Sequence, residues 1–357
     1  MCGLATSNSN STNTTSYYGG VSGWRQNAYA VAVPIFISIC VLVMVSNLLV
    51  LVTLRWVKTK PTSTLRFTVS LAISDVWTST IVAVSLVYNS YITVVYRLSI
   101  SACVALTFEG IHTGGLLTGT LHLLALSVNH YIVVSQPFLH HKILSTRNTL
   151  TVIVLLWVIP PVALLLCFAS IENQGFRSPD GKCTDVDFFH KLEFRLTISI
   201  IILLFIVMMS LLYIAVLVFL NKEAKKFLIK QHCSNSQRIR RMRNTLVTTL
   251  IIWGTFVVGW IPTSLIFVLT CSTCLFPYSQ TSAYNVVFFI SILANLCILL
   301  KSLVNPIVYA IRIPEIRTVM TRLLQRWGSG SKKRQRKCAL QSCRPRNRRS
   351  PDEMILK

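Results

Sequence analysis

Two carboxylates, Asp75 and Glu109, sit clearly within the long apolar stretches of this 357-residue chain, with His112, His122, His130 and one lysine, Lys301. Placing an ionisable group in a lipid interior costs about 2.5–3.5 kcal/mol, so each one needs a partner or a cavity and becomes a functional candidate. Between Glu223 and Glu315 there is no carboxylate, which excludes a carboxylate-rich metal site in that region. Asp75 follows Leu71-Ala72-Ile73-Ser74, and Lys301 stands one turn before Asn305. A buried Asp75–Lys301 pair, with Asn305 and Asn47 as hydrogen-bond partners, is the economical reading; the alternative leaves Lys301 snorkelling elsewhere. Asn305-Pro306-Ile307-Val308-Tyr309 and Trp260-Ile261-Pro262 each put a proline inside an apolar stretch. Each frees a carbonyl and permits a bend that can swing the inner end of its helix.

The elements that must position these groups are apolar runs at about 29–54, 66–89, 103–134, 149–170, 196–220, 245–270 and 284–311, each near the ~20 residues that cross a bilayer as helix. They predict an all-α membrane protein, a seven-transmembrane helix bundle. A short amphipathic helix follows, with Pro314 early and Ile316, Val319, Met320 and Leu323 or Leu324 on one face. With 53% hydrophobic residues, 13% charged residues and a mean hydropathy of +0.60, the chain is no ordinary soluble enzyme. The net charge of +24 could suggest a nucleic-acid partner, but its placement argues for topology instead. Arg55, Lys58 and Lys60, then Lys142 and Arg147, then the loop from Lys222 to Arg243, including Arg240 and Arg241, and the run Lys332–Lys337 share one side. That side is expected to be cytoplasmic, in a multi-pass plasma-membrane protein with its N-terminus outside.

The expected domains are an extracellular tail over 1–26, the bundle over 27–311, the amphipathic helix over 312–327 and a basic tail over 328–357. Asn10 and Asn13 begin N-x-[ST] sequons in the outer tail. Cys103, Cys183, Cys271 and Cys274 face the oxidising side, where Cys103–Cys183 and Cys271–Cys274 are available bridges, although spacing alone does not fix the pairing. Cys338 and Cys343, among basic residues, are candidates for acylation, with free thiols as the alternative.

In order along the chain, Asn47, Asp75, Trp157, Tyr213, Trp260-x-Pro262 and Asn305-Pro306-x-x-Tyr309 resemble the rhodopsin-like, class A G-protein-coupled receptors, over about 27–327. The resemblance implies a receptor, not an enzyme, whose activation switch comprises Asn47, Asp75, Tyr213, Trp260, Pro262, Lys301, Asn305, Pro306 and Tyr309. Three features depart from the family pattern. Asn129-His130-Tyr131 stands where the family usually has Asp-Arg-Tyr, so a guanidinium used at the G-protein interface is missing. Helix five has no proline, with Phe205 at the expected place, and Cys103 lies two residues from Ala105, where the outer cysteine is expected. These features resemble the branch with melanocortin, cannabinoid, lysolipid and adenosine receptors. The Cys271–Cys274 segment and the Tyr309–Arg317 stretch resemble the adenosine type most, but Phe267 replaces its purine-binding asparagine. In the family's sodium site, Gly119 stands for a serine and Lys301 for an asparagine, so binding is expected to be insensitive to sodium.

Tyr88, Phe108, His112, Thr113, Leu116, Thr197, Ile201, Trp260, Thr263, Ser264, Phe267 and Asn295 are expected to line an outer, largely apolar cavity for a small organic, lipid-like or short peptide ligand. His112 occupies the position of the carboxylate by which amine receptors hold a ligand, which argues against a monoamine. Inside the cell, outward motion of helix six would open a cleft with Asn129, His130, Tyr131, Arg240 and Arg241 at its edge for a heterotrimeric G protein. Arrestin and anionic membrane lipids are further expected partners; no cofactor and no nucleic acid are expected. Two rival readings use the same residues: a non-coupling, scavenging receptor, because His130 copies arginine poorly, and a proton or ion transporter relaying through Asp75, His112, His122 and Lys301. Retinal attachment is not expected, because the family's linking position is Leu299.

Overall fold

Each apolar stretch forms a helix, because a backbone in lipid has to satisfy its hydrogen bonds within its own segment. A computed structural model describes residues 18–57, 60–136, 138–183, 185–229, 236–271, 274, 281–312, 316–319, 321 and 322. Asn10, Asn13, Cys338 and Cys343 lie outside the described residues. The spanning helices are α1 (Tyr18–Thr53), α2 (Ser63–Leu86), α3 (Ala102–Ser135), α4 (Thr146–Ser170), α5 (Leu192–Ile229), α6 (Ser236–Leu269) and α7 (Thr281–Arg312). Among the described residues, six are long and apolar enough to cross a membrane, and α6 supplies the shorter apolar run Trp253–Leu269. There is no strand among the described residues.

Local chemistry explains the helix starts. Thr62 Oγ1 accepts the backbone N–H of Leu65 at the head of α2, and Ser145 Oγ accepts that of Asn148 at the head of α4. Above α2 the chain widens into a π-helix over Val87–Val95, closed by Arg97 in the left-handed region at φ 55°. The sequence ends this span near residue 89, whereas the helical turns continue to Val95. Asn89 Nδ2 donates to the Ala105 carbonyl of α3 at 3.2 Å, which fixes how the top of α2 meets α3.

The helices close a ring α1-α2-α3-α5-α6-α7-α1, with α4 packed outside on α3 and α2. Large apolar side chains face outward, such as Leu42, Leu155, Leu166 and Leu211, as expected where the solvent is lipid. Without a hydrophobic drive between helices, close packing decides. A Cβ on Gly114 would lie 2.6 Å from the Pro161 Cα of α4, and one on Gly115 2.7 Å from Thr78 Oγ1 of α2. Cys103–Cys183 ties the head of α3 to the loop between α4 and α5, and Cys271–Cys274 closes a small ring after α6. Beyond α7, Ile316 and Val319 are buried while Arg317 and Thr318 are exposed.

This packing makes Gly114→Ala costly and Gly119→Ala tolerated, since nothing lies within 4 Å of a Cβ at Gly119. Thermal unfolding of the detergent-solubilised chain should show Gly114→Ala destabilised by about 1–3 kcal/mol. The Gly119 variant should match or slightly exceed the parent.

Candidate functional site

A ladder of polar contacts runs through the bundle. On the α2–α3–α4 side, His122 is fully buried. Its Nδ1 lies 2.8 Å from the Thr118 carbonyl, which can only accept, so Nδ1 carries the proton. In the neutral ring Nε2 then accepts from Ser70 Oγ at 2.8 Å, and Ser70 in turn accepts the Trp157 indole N–H at 3.0 Å. Every polar group of that trio is satisfied, which makes His122 a joint between three helices and not a proton relay. Ser127 and Tyr213 join α3 to α5 through a 2.6 Å contact, and Trp253 donates to Ser210 between α6 and α5.

At the centre, Asn305 Nδ2 donates to Asp75 Oδ2 at 3.0 Å, the α2–α7 contact expected from sequence. The expected Asp75–Lys301 contact needs correction. Among the described residues no ion pair within 4.0 Å joins them, although their charges still act on one another. The ammonium lies instead 5.6 Å from the Phe256 ring centroid and 5.8 Å from that of Trp260. Both are on α6 and within cation–π range. Gly259 makes this possible: a Cβ there would come within 3.3 Å of the Lys301 Cβ. Asn47 does not join the centre as a donor either, since its Nδ2 bonds its own helix at Val43 O. The sodium site implied by the resemblance does not fit these residues. Gly119 offers no oxygen, and Lys301 brings a like charge.

In the outer half, Thr113, Trp260, Ser264 and Phe267 are buried, while Phe108, His112, Leu116, Thr263 and Asn295 are half-buried. Tyr88 packs on Phe108 with ring centroids 5.6 Å apart. Thr263 Oγ1 donates to the Ala294 carbonyl of α7 at 3.1 Å, so part of its capacity is already used. Thr197 and Ile201 do not belong to this group. Both are exposed on the outer face of α5, and Thr197 Oγ1 donates to Glu193 O, while Ile198, Ser199 and Ile202 take the inward face.

Sequence reasoning missed Arg195. It is buried at the head of α5, and its Nη1 donates to Thr270 O at 2.7 Å, Thr270 Oγ1 at 2.9 Å and Phe267 O at 3.0 Å. Nε donates to Phe189 O at 2.6 Å, and the guanidinium stacks 4.7 Å from the Phe267 ring centroid. One side chain thus gathers the last carbonyls of α6, the outer loop and α5. The signal was an arginine within one turn of an apolar run. Beside it, burial and the Arg195 charge hold His190 below its ordinary range, with Asp187 pulling the other way.

At the inner end, Asn129 is not available as a docking group. It is buried, and its Nδ2 donates to Thr64 Oγ1 of α2 at 2.8 Å. His130 and Tyr131 are half-buried. Tyr309 is buried. The Arg240 and Arg241 side chains lie outside the description.

A family model described as "7 transmembrane receptor (rhodopsin family)" matches residues 46–309. The chain is similar to human melanocortin receptor 3, at 23% identity over 302 residues covering 81% of this chain and 84% of that receptor. It is similar to lysophosphatidic acid receptor 1-A of Xenopus laevis, at 25% identity over 291 residues covering 81% and 74%. Human lysophosphatidic acid receptor 1 is 24% identical over 295 residues, again covering 81% and 74%.

The central charges yield a double-mutant test. Lys301→Met or Asp75→Asn alone changes the balance of a buried charge, a loss on the order of 3–5 kcal/mol for directly paired groups and less at this separation. Thermal unfolding should show the double variant less destabilised than the sum of the two singles. Strict additivity would show that the charges do not compensate one another.

Proposed function

The chain belongs to the rhodopsin family of seven-transmembrane receptors, and from that premise we propose that it binds a ligand in the outer half of the bundle through His112, Phe108, Thr113, Leu116, Trp260, Ser264 and Phe267 and passes the event to an intracellular G protein. It is a G-protein-coupled receptor and not an enzyme. The observation that carries the finer reading is the contact of Lys301 with Trp260 and Phe256. Trp260 is buried on α6, where it would form the floor of a ligand site, and Lys301 shares a polar centre with Asp75 and Asn305 on α2 and α7. A ligand that shifts Trp260 therefore perturbs a buried cation, and α6 and α7 can bend at Pro262 and Pro306. The relatives' names point to a melanocortin and to lysophosphatidic acid.

The N-terminus lies outside, where Asn10 and Asn13 would be glycosylated, and the C-terminus lies in the cytoplasm, where Cys338 and Cys343 would be acylated. The basic inner loop and tail would contact anionic lipid headgroups, and arrestin would share the inner cleft with the G protein. A second reading, a scavenging receptor that does not couple, is favoured by His130 in place of the usual arginine.

Two measurements test this. Basal second-messenger output at matched surface expression should exceed that of empty cells, and Pro306→Ala should abolish it. A signal that appears only with His130→Arg would assign the scavenging role instead. Separately, thermal stability in sodium and potassium chloride at equal ionic strength should coincide, because Gly119 offers no ligand oxygen and Lys301 brings a like charge. A sodium-specific shift of the parent chain would contradict that role for Lys301.

A further inference from the structure

The ends of α5 and α6 next to the disulfide loops are held together by one side chain, and one of its contacts is titratable. Phe267 and Thr270 stand at the end of α6, where the last carbonyls of a helix have no partner in their own helix. Arg195 Nη1 donates to both carbonyls and to Thr270 Oγ1, and Nε donates to Phe189 O of the loop between α4 and α5. Beside this clasp, Ser199 Oγ of α5 donates to Ser264 O of α6 at 3.3 Å. Pro262 precedes Leu269 by about two turns, so the stretch of α6 beyond its proline is tied to α5 here.

The other arm of the guanidinium sets a condition on its neighbour. Nη2 lies 3.4 Å from His190 Nδ1. A guanidinium offers only donors, so Nδ1 meets it as an acceptor, and the imidazole is neutral with its proton on Nε2. A proton added to Nδ1 would set donor against donor and cation against cation. The backbone beside the ring is anchored: Phe188 N–H donates to Gln174 Oε1 at 2.9 Å, and the Phe188 and Phe189 rings pack on Phe168 of α4 and Phe194 of α5. With that backbone held, the repulsion acts on the clasp. Among the described residues, two charged groups act on half-buried His190: Arg195 on α5, and exposed Asp187 on its own loop. Lys191 and Glu193 follow it and are exposed. α4 meets this segment through Phe168, and α6 reaches the clasp through Phe267 and Thr270, none of them charged. Burial first, and then the Arg195 charge, hold the imidazole below its ordinary range, while Asp187 pulls the other way. The clasped arrangement thus binds a proton less readily than a loosened one. It is at full strength above the ordinary histidine range and is lost as pH falls below it.

We propose that extracellular acid is a second input to this chain: a proton taken up at His190 Nδ1 sets the ring against Arg195, weakens the clasp and frees the outer stretch of α6 from α5. This rests on the loop between α4 and α5 lying outside the cell. His190 is the sensor, Arg195 is the positioning residue that turns its charge into a helix contact, and Asp187 sets the pH of the response. About one pH unit below the ordinary histidine range, the ratio of loosened to clasped chain rises by about tenfold.

Hydrogen–deuterium exchange of the full-length, detergent-solubilised chain tests this, at about pH 7.5 and about pH 5.5 and corrected for the chemical exchange rate at each. Peptides spanning 186–196 and 264–271 should lose protection by about tenfold at the acid pH, while peptides of the α3–α4 seam keep theirs. His190→Gln, whose side-chain carbonyl can accept from Arg195 but takes up no proton, should stay protected at both. Asp187→Asn should move the loss to lower pH, and it supplies the comparison should His190→Gln fail to fold. Equal protection at both pH values in the parent, an acid loss that His190→Gln retains, or a midpoint that Asp187→Asn leaves unmoved would overturn the proposal. In detergent both faces meet the same buffer, so these outcomes do not depend on orientation. Antibody binding to an N-terminal tag on unpermeabilised cells reads orientation separately; a tag reached only after permeabilisation would place the sensor inside the cell and overturn the extracellular input.

Discussion

Lipid offers a polar side chain no partner, so most of those inside this bundle bond within it, and that constraint organises the rest of the molecule. The contacts that meet it are also the contacts that hold neighbouring helices in register. Ser70, His122 and Trp157 lock α2, α3 and α4, and Asp75 with Asn305 closes α2 on α7. Arg195 closes α5 on α6 at the outer edge. Removing one partner therefore does more than lose a hydrogen bond; it leaves a donor or a charge with nowhere to turn.

Two kinds of seam result. Where α3 meets α4 and α2, glycines bring backbones so close that a methyl group would collide with Pro161 or Thr78. Such a seam has one arrangement. Where α6 meets its neighbours below the Arg195 cluster, the polar joints are directional contacts: Trp253 with Ser210, Thr263 with Ala294, and the Lys301 ammonium across the Phe256 and Trp260 rings. Those can be exchanged for others without reshaping a backbone. The rigid half carries the outer-loop disulfide and the buried Glu109–His112 pair, and the exchangeable half carries Pro262 and Pro306.

The spans, the two prolines within α6 and α7, the Asp75–Asn305 contact and the cysteines of both bridges were legible as residue types and positions. Hydrophobic length and the cost of burying a charge are properties of the sequence itself. Helix rotation is not. A stretch apolar on nearly every face gives no amphipathic signal, so nothing in the sequence turns Thr197 toward lipid and Ser199 toward the interior. Asn129 looked like a group at the inner mouth but faces Thr64, for the same reason. The partner of Lys301 was misjudged because charge suggests charge. What the sequence understated was Gly259, the absent side chain that opens the way to two aromatic faces. Arg195 escaped notice because its partners are backbone carbonyls, which leave no mark in a residue list.

The basic groups lead to a further step. The family's usual guanidinium at the inner end of α3 is replaced by His130, while the middle of α7 gains Lys301. A lysine thus stands at mid-depth, against Trp260 and within the field of Asp75. A cation at mid-depth acts on the helices around it. Its attraction to the Phe256 and Trp260 faces holds α6 to α7. A buried lysine is compatible with this bundle because aromatic faces and the field of Asp75 offset its loss of water.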